Sequence, residues 1–237
     1  MANITAARPY AAVVRQEAER NGLAPALLAA LIDHETGGTW NPRAIRVETA
    51  INDASRGLTQ ILFRTAQGAG YTGDAAGLFD PATNVFYGAK YLAGQIKRAG
   101  SLQGGLSAYN GGYNPSAGFG AVLTRPRVGI VLARDPQGKV SLTRDAPAGE
   151  FANQPYVDSI MTRARAFAAS QEWNAAVGTS PTSQPASVTQ LMTPAPKAAP
   201  VAKPTAASSS PSLPTPAKLA LGAGAALAAL LLWKALT

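Results

Sequence analysis

Thirteen carboxylates, one histidine and no cysteine are the side chains with which these 237 residues could do acid–base or nucleophilic chemistry. The missing thiol excludes disulfide frameworks, thiolate zinc sites and cysteine nucleophiles. The lone histidine, His34, excludes multi-histidine metal centres, and no Gly-x-Ser-x-Gly stretch marks a serine nucleophile for it to activate. Proton transfer therefore falls to carboxylates. Among them Glu35 stands out by position, because it follows Leu28, Leu31 and Ile32 by seven, four and three residues and so shares their helical stripe. Burial there favours a neutral carboxyl over a carboxylate. A neutral carboxyl in an apolar cleft is the group that protonates the leaving oxygen of a glycoside. Periodicity alone also permits a Glu turned to solvent at a fraying helix end.

The elements that must position Glu35 are mainly helical. Tyr10, Val13, Val14 and Ala18 form one stripe, stopped by Gly22, and Pro25 opens the helix of Leu27, Leu28, Leu31 and Ile32, stopped by Gly37 and Gly38. Further helices are predicted around Val85, Ala89, Leu92 and Ile96, around Leu102, Leu106 and Tyr109, and around Val157, Ile160, Met161, Ala164 and Ala168. Two β-rich runs from Val128 to Thr143 flank Asp135-Pro136-Gln137-Gly138, which predicts a hairpin. The class is mainly α (α+β) with a small β-hairpin insertion. Asp33 and His34 fall on other faces of the Glu35 helix, and His34 is expected in a surface or cap role, since a metal site would lack partners.

His34-Glu35-Thr36 closing an apolar helix, Gly57-Leu58-Thr59-Gln60-Ile61 after a polar loop, Ala108-Tyr109-Asn110-Gly111-Gly112, and Tyr156-Val157 opening a last helix occur in that order. Together they resemble the soluble lytic transglycosylase family, similar in fold to goose-type lysozyme, from residue 8 to residue 168. The resemblance implies a lysozyme-like domain that cleaves the β-1,4 bond between N-acetylmuramic acid and N-acetylglucosamine in peptidoglycan glycan strands. It makes Glu35 the catalytic acid and then base, and Gln60, Tyr109, Asn110 and Tyr156 the residues that bind substrate. No metal and no cofactor is implied. Ordinary glycosidases use two carboxyl groups. In this family the muramoyl C6 hydroxyl attacks C1 from within the substrate and leaves a 1,6-anhydro end, so one carboxyl serves both proton transfers.

Thr59 stands where the family usually has methionine, and Thr36 where it often has serine. The stretch from Gly111 to Pro155 is longer than compact members need, and it contains the predicted hairpin. Glu48 and Asp53, in the polar loop before Gly57, are possible second carboxylates that could hold a water. The nearest competing reading is therefore a hydrolytic muramidase. A non-catalytic subunit that keeps the fold to bind glycan is the third.

Residues 1–172 are read as the catalytic domain, 173–217 as a disordered linker and 218–236 as a C-terminal transmembrane helix. Nine of the 18 prolines lie between Asn174 and Ala217, and all 13 acidic residues precede Trp173. Leu219 to Trp233 is uncharged and bracketed by Lys218 and Lys234. At about 1.5 Å per residue it covers about 22 Å, short of the roughly 30 Å hydrocarbon core unless the lysines snorkel. The first twenty residues lack the apolar stretch of a signal peptide. A C-terminal anchor without such a leader points to delivery by a phage virion with an internal membrane, other virion membrane proteins being possible partners. A bacterial envelope enzyme is the alternative. Nucleic acid is not expected as a partner, because residues 1–172 carry 17 dispersed basic residues against 13 acidic ones.

Overall fold

The computed structural model describes residues 1–135 and 138–179. The expected membrane segment 218–236 lies outside the described residues, as does the expected linker beyond residue 179. Helix α1 (Ile4–Ala7) starts where Asn3 Oδ1 accepts from the Ala6 N–H, and α2 (Ala11–Arg20) ends before Gly22 at φ +67°. Helix α3 (Pro25–Glu35) begins with proline in its first turn, and every residue from Ala26 to Glu35 is buried. A helix apolar on all sides belongs inside a domain, and α3 is the axis around which the others pack.

Strands β1 (Ile45–Glu48), β2 (Asp53–Arg56) and β3 (Ile61–Leu62) form an antiparallel sheet in that order, where the sequence predicts only a polar loop. The four-residue alternation Ile45-Arg46-Val47-Glu48 hides the strand, because Ile45 and Val47 are exposed and the partly covered face is the polar one. Helix α4 (Phe63–Gly68) follows. Helix α5 (Pro81–Ala99) is capped by Asp80, whose carboxylate accepts from the Thr83 N–H at 2.8 Å, and it ends at Gly100 in the left-handed region. Ser101 caps α6 (Leu102–Gly111), which lies along α5.

The predicted hairpin is present as β4 (Arg127–Arg134) and β5 (Val140–Ala146). Helix α7 (Gln154–Ala169) then returns along α3. The fold does not stop at residue 172: α8 (Gln171–Val177) buries Trp173 completely, its ring 5.1 Å from that of Phe167, and Ser170 Oγ caps it by accepting from Trp173 N at 3.1 Å. The expected boundary thus falls inside a helix, because one apolar tryptophan outweighs the polar residues around it. Among the described residues no helix is long and apolar enough to cross a membrane.

The turn between β2 and β3 depends on Gly57. Its φ of +70° is strained for any other residue, and a Cβ there would stand 2.3 Å from Asn84 Nδ2. Gly57→Ala is expected to cost about 2 kcal/mol or more of unfolding free energy, which urea denaturation measures directly.

Candidate active site

Glu35 is the last residue of α3 and only 7% exposed. The Tyr156 hydroxyl, fully buried at the start of α7, donates to Glu35 Oε1 at 2.7 Å. That bond removes the reading of a carboxyl turned to solvent. Tyr109 on α6 comes in from another side, its hydroxyl donating to Thr59 O at 2.8 Å. Burial first, and then the negative charge of Glu35, push both phenols well above the usual tyrosine range. Both are neutral donors across the working pH range.

The remaining motif residues fix the backbone around this pair. Gln60 has φ +47°; its Nε2 donates to Ala44 O at 3.1 Å and Gly57 O at 2.9 Å, and its Oε1 accepts from Ser55 Oγ at 3.0 Å. Its amide thus holds the turn that presents Thr59 to Tyr109. Thr59, in place of methionine, is buried: its N–H and Oγ1 both donate to Asn84 Oδ1 at 2.8 Å, and it lies against Gly88, where a Cβ would come within 2.4 Å of Thr59 Oγ1. Thr36, in place of serine, keeps the hydroxyl function by donating to Ile32 O at 2.8 Å and accepting from Trp40 N at 3.1 Å. Asn110 is half-buried and its Oδ1 accepts from Asn153 Nδ2 at 3.0 Å.

Glu48 and Asp53 face each other at the end of the β1–β2 pair. Each has an arginine partner: Arg46 Nε lies 3.4 Å from Glu48, and Arg56 Nη1 lies 3.2 Å from Asp53. Burial pushes the Asp53 carboxyl up, but the N–H groups of Arg64 and Ala54 and the Arg56 guanidinium together hold it below the usual carboxylate range. Asp53 is thus an ionised brace for the sheet.

Three features escape a reading by residue type. Asn84 is fully buried on α5 and clamps the Gly57 turn, its Nδ2 donating to Arg56 O and Leu78 O, both at 2.8 Å. Its signal is its place with Gly88 and Leu92 at helical spacing, an amide among core positions. Asn153, also fully buried, exchanges hydrogen bonds with Ser107 on α6 and so ties that helix to the start of α7. His34 is the third. It is 1% exposed, against the expected surface or cap role, because α7 covers that face of α3. Among the described residues no cluster of three or more His, Asp or Glu is arranged to hold a metal ion.

Residues 12–118 match the transglycosylase SLT domain family. The match takes in Glu35, Gln60, Tyr109 and Asn110 and stops before Tyr156 and the β4–β5 hairpin. The membrane-bound lytic murein transglycosylase C of Actinobacillus pleuropneumoniae is 34% identical over 134 residues, 49% of this chain and 33% of that protein. The transglycosylase of Enterobacteria phage PRD1 is 34% identical over 99 residues, 42% of this chain and 33% of its own. The matched regions thus amount to about a third of the length of these curated relatives. Among solved structures, the 70 kDa soluble lytic transglycosylase of Escherichia coli aligns with 76% of this chain and 25% of its own, at 17% identity and a TM-score of 0.45.

A brace that works only when ionised has a pH signature. A carboxyl held below its ordinary value adds stability in full above the unfolded-state value of about 3.9, and that stability is lost as pH falls through the lower folded value. Asp53→Asn is therefore expected to destabilise at pH 7 and to matter progressively less toward pH 2. Urea unfolding of both proteins across that range checks it, and a pH-independent difference would contradict the assignment.

Proposed function

We propose that the protein is a peptidoglycan lytic transglycosylase with Glu35 as its single catalytic carboxyl. The observation that carries this reading is the Glu35 carboxyl, buried at the end of α3 and hydrogen-bonded by the Tyr156 phenol, within residues that match the SLT domain family up to residue 118. Glu35 gives its proton to the glycosidic oxygen as the bond from that oxygen to muramoyl C1 breaks. The muramoyl C6 hydroxyl then bonds to C1 and returns its proton to Glu35, so the enzyme ends as it began and the product carries a 1,6-anhydro ring. The attacking oxygen belongs to the substrate, so no positioned water and no second carboxylate are needed. The neutral Tyr156 hydroxyl supports the cycle by stabilising the carboxylate formed between the two transfers. Tyr109 and Asn110 line the cleft that takes the amino sugars, phenol and amide groups being suited to their acetamido and hydroxyl groups, and Gln60 supports that cleft by holding the turn that carries Thr59.

The proposal extends to delivery. The likeness to the phage PRD1 transglycosylase supports a virion protein that opens the cell wall locally during genome entry. The uncharged run from Leu219 to Trp233 between two lysines supports a single-pass membrane anchor, with residues after 179 as its tether. Detection of the chain in the membrane fraction of purified phage particles tests this, and its absence from such particles would end it.

For the chemistry, the full chain is incubated with purified sacculi and the soluble muropeptides are weighed by mass spectrometry. The wild type is expected to release anhydro-muramoyl ends and Glu35→Gln none. Reducing ends would make the enzyme a hydrolytic muramidase, and no cleavage by the wild type would leave a glycan-binding subunit. Tyr156→Phe is expected to lower kcat by roughly 10- to 100-fold, the worth of a hydrogen bond to a charged group. Dye release from labelled sacculi, read beside the melting temperature, separates that loss from unfolding.

A further inference from the structure

Every residue of α3 from Ala26 to Ile32 is apolar, and the helix then ends in three buried polar residues. Only Glu35 has a part in the chemistry. Asp33 is fully buried, with Oδ1 accepting from Trp40 Nε1 at 2.8 Å and from Asn3 N at 3.0 Å, and Oδ2 accepting from Arg163 Nε at 3.0 Å. Arg163 Nη1 in turn donates to Ser159 Oγ, which lies 2.9 Å from His34 Nδ1. The His34 ring meets the Tyr156 ring edge to face, with centroids 4.8 Å apart and planes at 83°. Tyr156 then donates to Glu35.

The connection is built from two short patterns. Residues 33, 34 and 35 are consecutive on α3, so at about 100° per residue they point in three directions. Tyr156, Ser159 and Arg163 are spaced by three and four on α7 and share one face. Each α3 residue therefore meets its own partner on α7. Stability alone does not account for a buried ion pair here, since apolar replacements of such pairs are often neutral or stabilising. A buried network does restrict orientation. The Ser159 oxygen, held by the guanidinium, hydrogen-bonds Nδ1 in either tautomer of the ring and so fixes the imidazole plane.

We propose that His34, locked by Ser159 and Arg163, is a positioning residue that holds the Tyr156 phenol on Glu35. His34 acts through its neighbours, Nδ1 on Ser159 Oγ and the ring against that of Tyr156. It sets the ring against which Tyr156 rests, and Asp33 anchors the far end of the network to Trp40 and to the N-terminal arm at Asn3. The consequence for rate rests on the transglycosylase reading, whereas the consequence for the Tyr156 ring does not.

The test removes the hydroxyl and leaves both rings in place. Ser159→Ala is expected to lower kcat by roughly 5- to 10-fold with KM within about twofold, the size of one neutral hydrogen bond. Ser159→Thr, which keeps the hydroxyl, is expected to restore most of it. In a Tyr156→Phe background Ser159→Ala is expected to cost nothing further, because the group it positions is already gone. A structural role alone would give the same loss in both backgrounds, and that outcome overturns the proposal. Independently of activity, 13C NMR of labelled tyrosine is expected to show faster Tyr156 ring flipping in Ser159→Ala than in the wild type. An unchanged flip rate overturns the proposal even if the enzyme is active. Faster flipping in a protein that cleaves no glycan would sink the activity and keep the positioning.

Discussion

A carboxyl placed at the buried end of a buried helix is the constraint on which the rest of this structure depends. A carboxyl out of water must be met by hydrogen-bond partners. Here the Tyr156 hydroxyl meets it, and burial first, with the neighbouring Glu35 second, pushes the Tyr156 and Tyr109 phenols up. The requirement sets the packing order. Helix α7 must lie along α3 to bring Tyr156 to Glu35, and α6 must approach with Tyr109 while the Gly57 turn offers Thr59 O to receive it.

Two buried asparagines hold those approaches in register. Asn84 joins α5 to the turn after β2, and Asn153 joins α6 to the start of α7. Each uses both ends of its amide, on backbone and side-chain partners alike, so that its buried polar atoms are satisfied. The motif residues gain precision from this, because they sit on turns braced by helices and on helix ends. Gln60 illustrates the point: its side chain is spent on the backbone of its own turn, and its contribution to the site comes through the position of Thr59.

The hairpin of β4 and β5 lies outside this arrangement. It is inserted between the end of α6 and the start of α7, and its base is tied to the loop before α7 by Leu123 N to Glu150 O at 2.8 Å and by the Arg144 guanidinium, which donates to Phe151 O at 2.9 Å. The insertion thus braces the entry of the helix that carries Tyr156 while leaving the α3–α7 contact to the core.

The sequence by itself determined helices α2, α3, α5, α6 and α7, the hairpin and the suspicion that falls on Glu35. These are local facts, since apolar periodicity, proline and glycine punctuation and an acid on an apolar stripe all act within a few residues of chain. Strands β1 to β3 were not legible, because a four-residue alternation whose apolar side faces water carries no burial signal of its own. The boundary at residue 172 failed for a related reason: Trp173 belongs to the core only once Phe167 is beside it. Only the tertiary structure decided what Asp33, His34, Ser159 and Arg163 do. Their meaning comes from contacts made over more than a hundred residues of chain, and a polar residue on a helix reads as surface until the helix that covers it is in place.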